Sequence, residues 1–462
     1  MFKKSPDALL IVAAVLLLFT VLTWMIPAGS YDRVKEDGKT KVVAETYTPE
    51  ERQGQGVSAL LTAPIKGFTE AARIIAFVLL VGGAFSMVTA TGAVGSGLGA
   101  VVKFAERRPA AKKAVIPLLV VLFSLAGCTF GMSEENLVFI LITIPLAHTM
   151  GYDALTGIAI PFLGSAAGFA GAAVNPFTLG IAQGIAEIPV GSGAGYRWAV
   201  WAVFTAVAVV FIVRYTRRLD RRLANSPADH RDGKAPVSSV KNDDAGPFTG
   251  RHIAVLLLFA AAIIFLMIGS NVWGWYIDEI AALFIGLGVA AAVAGGLSAG
   301  AAVDAFKKGA AEMLTAALII GLSRSVLVVA EDGKIIDTVL YALSGAVADL
   351  PRAVSVQAMF LVQGLINVFV PSGSGQAAIT MPIMVPLADI LGISRQTAVL
   401  AFQFGDGIFN LIIPTSGVTM GVLAVARIPY GEWLRWVWKP VAVLTAFAVL
   451  LLALPEWADV WP

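Results

Sequence analysis

Apolar runs of about 20 residues recur along this chain, and each can cross a hydrocarbon core of about 30 Å. They cover residues 8–26, 74–91, 154–185, 198–213, 253–268, 277–297, 310–329, 396–425 and 436–454. One such run would be an anchor. Here the runs fill the chain, so the membrane domain is the protein. Only 14% of its 462 residues are charged and 58% are hydrophobic, whereas soluble domains carry roughly 25% charged residues. The runs are continuous and rich in Ala, Gly, Val and Leu. An outer-membrane barrel would instead show segments of about ten residues alternating apolar with polar, so the expected class is an all-α polytopic protein of the bacterial cytoplasmic (inner) membrane. The first run follows Lys3 and Lys4 and has no small-x-small cleavage site close behind it, so it reads as a retained helix and not a signal peptide.

Two further apolar stretches, 114–150 and 353–391, are each interrupted by a polar, Gly-rich patch. Their arms read as roughly 14 to 18 residues, at or below the length needed for a span. A turn as polar as Gly131-Met132-Ser133-Glu134-Glu135-Asn136 can sit at membrane depth only where it lines a cavity or is buried in protein. Both stretches are therefore expected to be re-entrant hairpins. Lys and Arg mark the cytoplasmic side. Nine of them fall in residues 214–252 and five in residues 103–113. Both segments lie inside when the amino terminus is cytoplasmic and residues 114–150 enter and leave on the same face, leaving residues 29–56 as a polar external loop. Parity alone does not separate a hairpin from two full crossings, and the lengths and polarity carry that choice. Residues 225–250 are polar and rich in Pro, Ser, Asp and Gly, a linker without a core of its own.

The two sides of that linker resemble each other. Lys66-Gly67 with Glu70 corresponds to Lys308-Gly309 with Glu312. At an offset of 241, Ser133 matches Ser374, Pro145-Leu146-Ala147 matches Pro386-Leu387-Ala388, Gly151 matches Gly392, Thr156 matches Thr397, and Gly164 matches Gly405. Pro176 and Ile188-Pro189 correspond to Pro414 and Ile428-Pro429 with small gaps. The expected organisation is a first helix and external loop (1–56), repeat 1 (57–214), a basic cytoplasmic linker (215–252), connecting helices (253–298) and repeat 2 (299–462). The crossing at 277–297 turns the second unit over, so the repeats are expected to be inverted. That architecture lets a carrier expose one midplane site to each face in turn.

Each half carries the same two irregular elements. The first is a hairpin tip, Ser133-Glu134-Glu135-Asn136 in one half and Pro371-Ser372-Gly373-Ser374-Gly375-Gln376 in the other. The second is a break inside a long helix, at Val174-Asn175-Pro176-Phe177-Thr178 and at Asn410 to Gly417 around Pro414-Thr415-Ser416. Proline removes a backbone donor and frees carbonyls nearby, which are costly in hydrocarbon unless they coordinate a cation. Helix ends at the breaks add partial charge of either sign. Intramembrane ionisable residues default to functional hypotheses. Here these are Glu134, Glu135, Asp406 and Arg324, and the acids could bind a substrate ammonium, coordinate sodium or carry a coupled proton. Arg324 could hold a carboxylate through a bidentate pair, or only lock helices to an acid. The substrate-binding candidates are Glu134, Glu135, Asn175, Ser374, Gln376, Asp406, Asn410, Thr415 and Arg324. Candidates for a sodium or proton-coupling site are Ser133, Asn136, Asn175, Thr178, Ser372, Ser374, Thr415 and Ser416. The single Cys128 and the scattered His148, His230 and His252 leave no metal cluster. There is no HExxH, Cys cluster or Ser-His-Asp pattern. An enzyme and a nucleic-acid partner are not expected, and a sodium ion is the one cofactor considered. A channel remains an alternative class, although no repeated selectivity sequence occurs.

The segments Thr23-Trp24-Met25-Ile26-Pro27-Ala28-Gly29, Gly131-Met132-Ser133-Glu134-Glu135, Asn175-Pro176-Phe177 and the long block from Pro371 to Pro429 resemble the YfcC-type carriers. These stand with the DcuC-like anaerobic dicarboxylate carriers in the ion transporter superfamily. The resemblance implies an inverted-repeat, elevator-type secondary transporter whose scaffold domain makes a homodimer. It also implies a coupling cation bound at Ser133, Asn136, Asn175 and Thr178 in the first half and at Ser374, Asn410, Thr415 and Ser416 in the second. One departure matters. Superfamily members that handle di- or tricarboxylates carry Ser-Asn-Thr at tips and breaks, whereas this chain has two acids at its first tip. Two acids fit poorly with a dianion unless they are protonated. The expected solute is therefore an amino acid, basic in character, moved by symport or exchange. A C4-dicarboxylate is the alternative.

Overall fold

The computed structural model describes residues 7–36, 39–43, 45–97, 109–225, 249–348, 350–458 and 460–461. The inner part of the linker (226–248) and the basic segment 103–108, on which the topology reading leans, lie outside the described residues. Among the described residues six helices are long and apolar enough to cross a membrane: Ala8–Met25, Ala72–Ala90, Ala194–Arg221, Ile277–Gly295, Leu314–Asp332 and Tyr430–Pro455.

Most elements of residues 57–225 recur in the same order in residues 299–457, where the helix Ile335–Ala348 stands between the kinked helix and the hairpin. A 14-residue helix (Val57–Glu70, or Ala299–Glu312) runs into a 19-residue helix (Ala72–Ala90, or Leu314–Asp332). The joint Met313 keeps helical dihedrals, whereas Ala71 departs from them (φ −88, ψ 4), and the chain bends at each joint without leaving the helix path. Next comes a helical hairpin, Pro109–Phe130 with Asn136–Thr149, or Arg352–Phe369 with Gly373–Ile390. A broken helix follows, Ala154–Ala170 with Leu179–Ile185, or Arg395–Phe409 with Gly417–Val425. A long helix closes each half, Ala194–Asn225 or Tyr430–Trp457.

Glycines set how closely these elements pack. In the first kinked helix, a Cβ on Gly67 would come within 2.6 Å of the Gly321 carbonyl, and one on Gly82 within 2.3 Å of Met313. In the second, a Cβ on Gly309 would come within 2.4 Å of the Gly82 carbonyl and of Ser86. Sequence number rises along one helix as it falls along the other, so the two equivalent kinked helices lie antiparallel. The inner halves of the broken helices match as well. Gly164 closes on Val120 and Phe123, and Gly405 closes on Phe360 and Gln363. The two inner helices meet where Gly407 abuts Ala170. Ala154–Ala170 and Arg395–Phe409 are buried nearly all round, as expected of central helices. Ala8–Met25 and the connecting helices leave apolar faces such as Leu17, Leu18, Leu257 and Val293 exposed, where lipid would meet them.

The structure adds to the sequence reading in five places. Within the polar loop after the first helix the chain forms two short antiparallel ribbons, Gly29–Ser30 with Thr48–Pro49 and Arg33–Glu36 with Lys39–Val42. These ribbons dock on the helix Ile335–Ala348, which the reading missed because 14 residues fall short of a span. Asp337 accepts from the Tyr31 amide (3.0 Å) and from Arg33 (2.8 Å), and Tyr47 stacks on Tyr341. Just before that helix, the Lys334 ammonium reaches across to the loop and holds the Glu50 carboxyl below its usual range. The helix Val57–Glu70 was also missed, because Pro64, Lys66 and Glu70 break its apolar pattern. The run read as one crossing at 310–329 is divided at Met313. The first arm of the first hairpin has 22 residues, more than its apolar stretch implied.

Candidate functional site

The helix ending at Phe130 stops because Gly131 takes a left-handed conformation (φ +71), which glycine adopts without strain. The tip that follows is tied to itself. Glu135 Oε2 accepts from the Ser133 amide (3.0 Å), and Asn136 Nδ2 donates to the Ser133 carbonyl (2.9 Å) and to Ser165 Oγ (2.9 Å). The tip rests on the first break, since a Cβ on Gly131 would lie 2.5 Å from the Asn175 side-chain amide. At the break Asn175 Oδ1 accepts from the Phe177 amide (2.9 Å) and its Nδ2 donates to Thr178 Oγ1 (2.8 Å). This is the local turn that an Asn before Pro favours. Gln403 from the other half donates to the Phe169 carbonyl (2.7 Å) and reaches Thr178.

In the second half Gln376 is buried and donates to Gln363 (2.7 and 2.9 Å), which also accepts from Thr380 (3.1 Å). Asp406 is fully buried. Its Oδ1 accepts from Asn410 (2.7 Å), its carbonyl accepts from Asn367 (3.0 Å), and its Oδ2 has no protein partner. Gly373 lies directly against that oxygen. Ser416 caps the helix after the break, whereas Ser372 makes no capping bond to the helix Gly373–Ile390. The buried hydroxyls of Thr415 and Ser323 also lack protein partners.

Both tips and both breaks line one cavity of about 310 Å³. The first tip contributes Ser133, Glu134 and Glu135, and the second Ser372 and Ser374. Thr178 comes from the first break, and Asn410, Thr415 and Ser416 from the second. Arg324 is on the wall too. Four named candidates stand behind the lining: Asn136, Asn175, Gln376 and Asp406. Most of their polar atoms tie the tips and breaks to the core, whereas Asp406 Oδ2 and Gln376 Oε1 are buried without a protein partner. A larger cavity of about 720 Å³, beside Asp7, Lys308, Glu312 and Arg427, contains none of the tips or breaks.

The sequence reading missed several lining residues. Glu70 pairs with Arg324 (2.8 Å). In the sequence Glu70 stands only as part of a repeat motif. Tyr276, from the connector between the halves, packs on Phe177 with ring centroids 5.1 Å apart. No local signal marked Tyr276, which sits among the aromatics expected at a membrane interface. Among the described residues no cluster of three His, Cys, Asp or Glu could hold a metal ion.

A helical membrane protein with polar tips and broken helices gathered on one cavity has the build of a solute carrier. The profile of the C4-dicarboxylate anaerobic carrier (DcuC) family matches residues 5–455, and the chain belongs to that family. It is 34% identical over 474 residues to YfcC of Escherichia coli, whose name describes it provisionally as a basic amino acid antiporter, covering 93% of this chain and 92% of that one. It is 28% identical over 495 residues to an uncharacterized protein of Haemophilus influenzae, covering 97% and 96%. Among solved structures, the YdaH transporter of Alcanivorax borkumensis aligns at 17% identity and TM-score 0.42, covering 99% of this chain and 100% of that one. MtrF of Neisseria gonorrhoeae aligns at 16% and 0.43, covering 100% and 96%. The protein is a multi-pass membrane transporter.

Proposed function

We propose that the protein is a secondary active carrier for an amino acid with a cationic side chain, working in the cytoplasmic membrane by symport or exchange with a cation. The observation that carries this reading is the pair Glu134 and Glu135 at the first tip, facing a cavity whose wall also holds Phe177 and Tyr276. Carboxylates beside aromatic faces favour an ammonium or guanidinium group. The cavity volume, at the low end of the roughly 300–1,000 Å³ typical of ligand pockets, suits one small solute. The name of the Escherichia coli relative points the same way. The antiparallel packing of the two equivalent kinked helices supports an inverted repeat, and with it alternating access of one site. The amino terminus is cytoplasmic in this scheme, and an elevator-like movement within a homodimer is the form of transport it favours.

The test is a thermal-shift screen of the purified protein with arginine, ornithine, lysine, neutral amino acids, succinate, fumarate and citrate, with and without sodium at two pH values. A ligand at 100 times its Kd adds about 2.7 kcal/mol of stability. Stabilisation by the cationic amino acids alone is the expected result. A C4-dicarboxylate is the second reading, favoured by the family name and by Arg324 on the cavity wall. Stabilisation by succinate or fumarate alone would replace the first reading with it.

The coupling cation is assigned to oxygens of the tips and breaks, among them Ser133, Thr178, Ser374, Thr415 and Ser416. Thr415 Oγ1 is buried without a protein partner, and Asn175 holds Thr178 in place (2.8 Å). Thr415→Ala and Asn175→Ala are each expected to raise the cation concentration needed for half-maximal uptake by about tenfold, a loss of about 1.4 kcal/mol. Unchanged sodium and proton dependence in both variants would remove this assignment.

A further inference from the structure

The Glu70–Arg324 ion pair has no counterpart at the equivalent crossing of the two halves. Gly67 packs against Gly321 and Ser325, and its twin Gly309 packs against Gly82 and Ser86. Three residues after Gly67 stands Glu70, and three after Gly309 stands Glu312. Before Ser325 stands Arg324, but before Ser86 stands Phe85. A similar close crossing, displaced by three residues along the partner helix, therefore forms once with an ion pair and once without. A glycine crossing of this kind can form without the pair.

The pair is also incompletely used. Arg324 engages Glu70 Oε2 through Nε alone, at 2.8 Å. Among the described residues its Nη1 and Nη2 and the second Glu70 oxygen make no hydrogen bond or ion pair, while the charges of Glu331 and Lys66 act on the pair from nearby. Both side chains are about one-third exposed (35% and 37%), and both line the cavity that holds Glu134 and Glu135. A guanidinium edge with two free donors matches a carboxylate, and a carboxylate oxygen beside it matches an ammonium. These two groups are adjacent in one kind of small solute, an α-amino acid.

We infer that Arg324 and Glu70 read the α-carboxylate and α-ammonium of the substrate, while Glu134 and Glu135 read its cationic tail. The inference rests on the proposed function and deepens it: the substrate class is the zwitterionic cationic amino acid, and amines that lack the carboxylate are rejected. Ser323, whose buried hydroxyl is unpartnered on the same wall, supplies one more donor toward the carboxylate.

The test is isothermal titration of the purified full chain with arginine, agmatine (arginine without its carboxylate) and Nα-acetylarginine (arginine with its amine blocked). Wild type is expected to bind arginine at least tenfold more tightly than either analogue. Arg324→Gln should weaken arginine to the level of agmatine and leave agmatine unchanged. Retained agmatine binding also reports that the variant is folded. Arg324→Lys keeps a cation beside Glu70 but lacks the planar fork, and should likewise lose arginine selectively. Glu70→Gln should close the gap between arginine and its acetylated form. Equal binding of arginine and agmatine by wild type would overturn the head-group assignment and leave the cationic-solute carrier standing. So would an equal loss of both ligands in Arg324→Lys, which would mark the pair as structural. Binding of dicarboxylates with none of the three arginine compounds would overturn the proposed function itself.

Discussion

Glu134→Gln is expected to weaken binding of a cationic amino acid about thirtyfold or more, corresponding to at least about 2 kcal/mol, without lowering the melting temperature of the unliganded protein. Glu134 lines the cavity at the first tip, and replacing its carboxylate by an amide of the same shape removes the charge with little change in packing. Glu135→Gln is expected to lose as much affinity and also some stability. Glu135 Oε2 accepts the Ser133 amide (3.0 Å), and a charge-assisted bond of that kind is roughly twice as strong as a neutral one. Titration calorimetry reads the affinity, and thermal unfolding without ligand reads the tip. The contrast between the two variants is what checks the arrangement. Wild-type affinity in both variants would leave the acids without a role in recognition, and the weight would pass to Arg324 and the serine-rich second tip.

Much of this arrangement is legible in the sequence because its causes are local. Apolar length marks the long spans, proline and glycine mark the breaks, and a single offset of 241 ties Ser133 to Ser374 and Gly164 to Gly405. Those glycines then close on equivalent positions of their hairpins. What could not be read depends on partners distant in the chain. Glu70 and Arg324 are 254 residues apart and meet only because the two kinked helices cross at Gly67. The kinks at Ala71 and Met313 carry no proline or glycine, so no local rule announces them. Asn136, Asn175 and Gln376 stand out in the sequence because polar residues are rare in such segments. The structure uses them behind the cavity wall, where they bind Ser165, Thr178 and Gln363. Sequence identifies which polar residues are paid attention to by the fold. It does not say whether they face the cavity or hold the elements that do.

Gly168→Ala is expected to be among the most damaging of the conservative substitutions, although glycine to alanine inside a helix ordinarily gains about 1 kcal/mol. A Cβ at Gly168 would lie 1.7 Å from the carbonyl oxygen of Ser124, a backbone atom that no rotamer change can move. The hairpin arm Pro109–Phe130 cannot easily yield there, because Ser124 Oγ is hydrogen-bonded to Thr205 of the long helix Ala194–Asn225 (2.6 Å). Gly127, one turn further along the arm, would place its own Cβ 2.1 Å from the Ser165 carbonyl. The arm and the inner helix Ala154–Ala170 are thus in backbone contact over a full turn. Separating them costs about 3 kcal/mol or more, the upper part of the range for overpacking. The same displacement would move the first tip, with Glu134 and Glu135, away from the break at Asn175. Gly168→Ala should therefore lower the melting temperature by several degrees and reduce ligand binding together with it. Gly345→Ala is the matched control: nothing lies within 4 Å of its Cβ position in the helix Ile335–Ala348, so stability should hold or rise slightly. If Gly168→Ala melts like wild type, the arm does not lie against the inner helix at this distance, and the position of the first tip over the break would have to be redrawn.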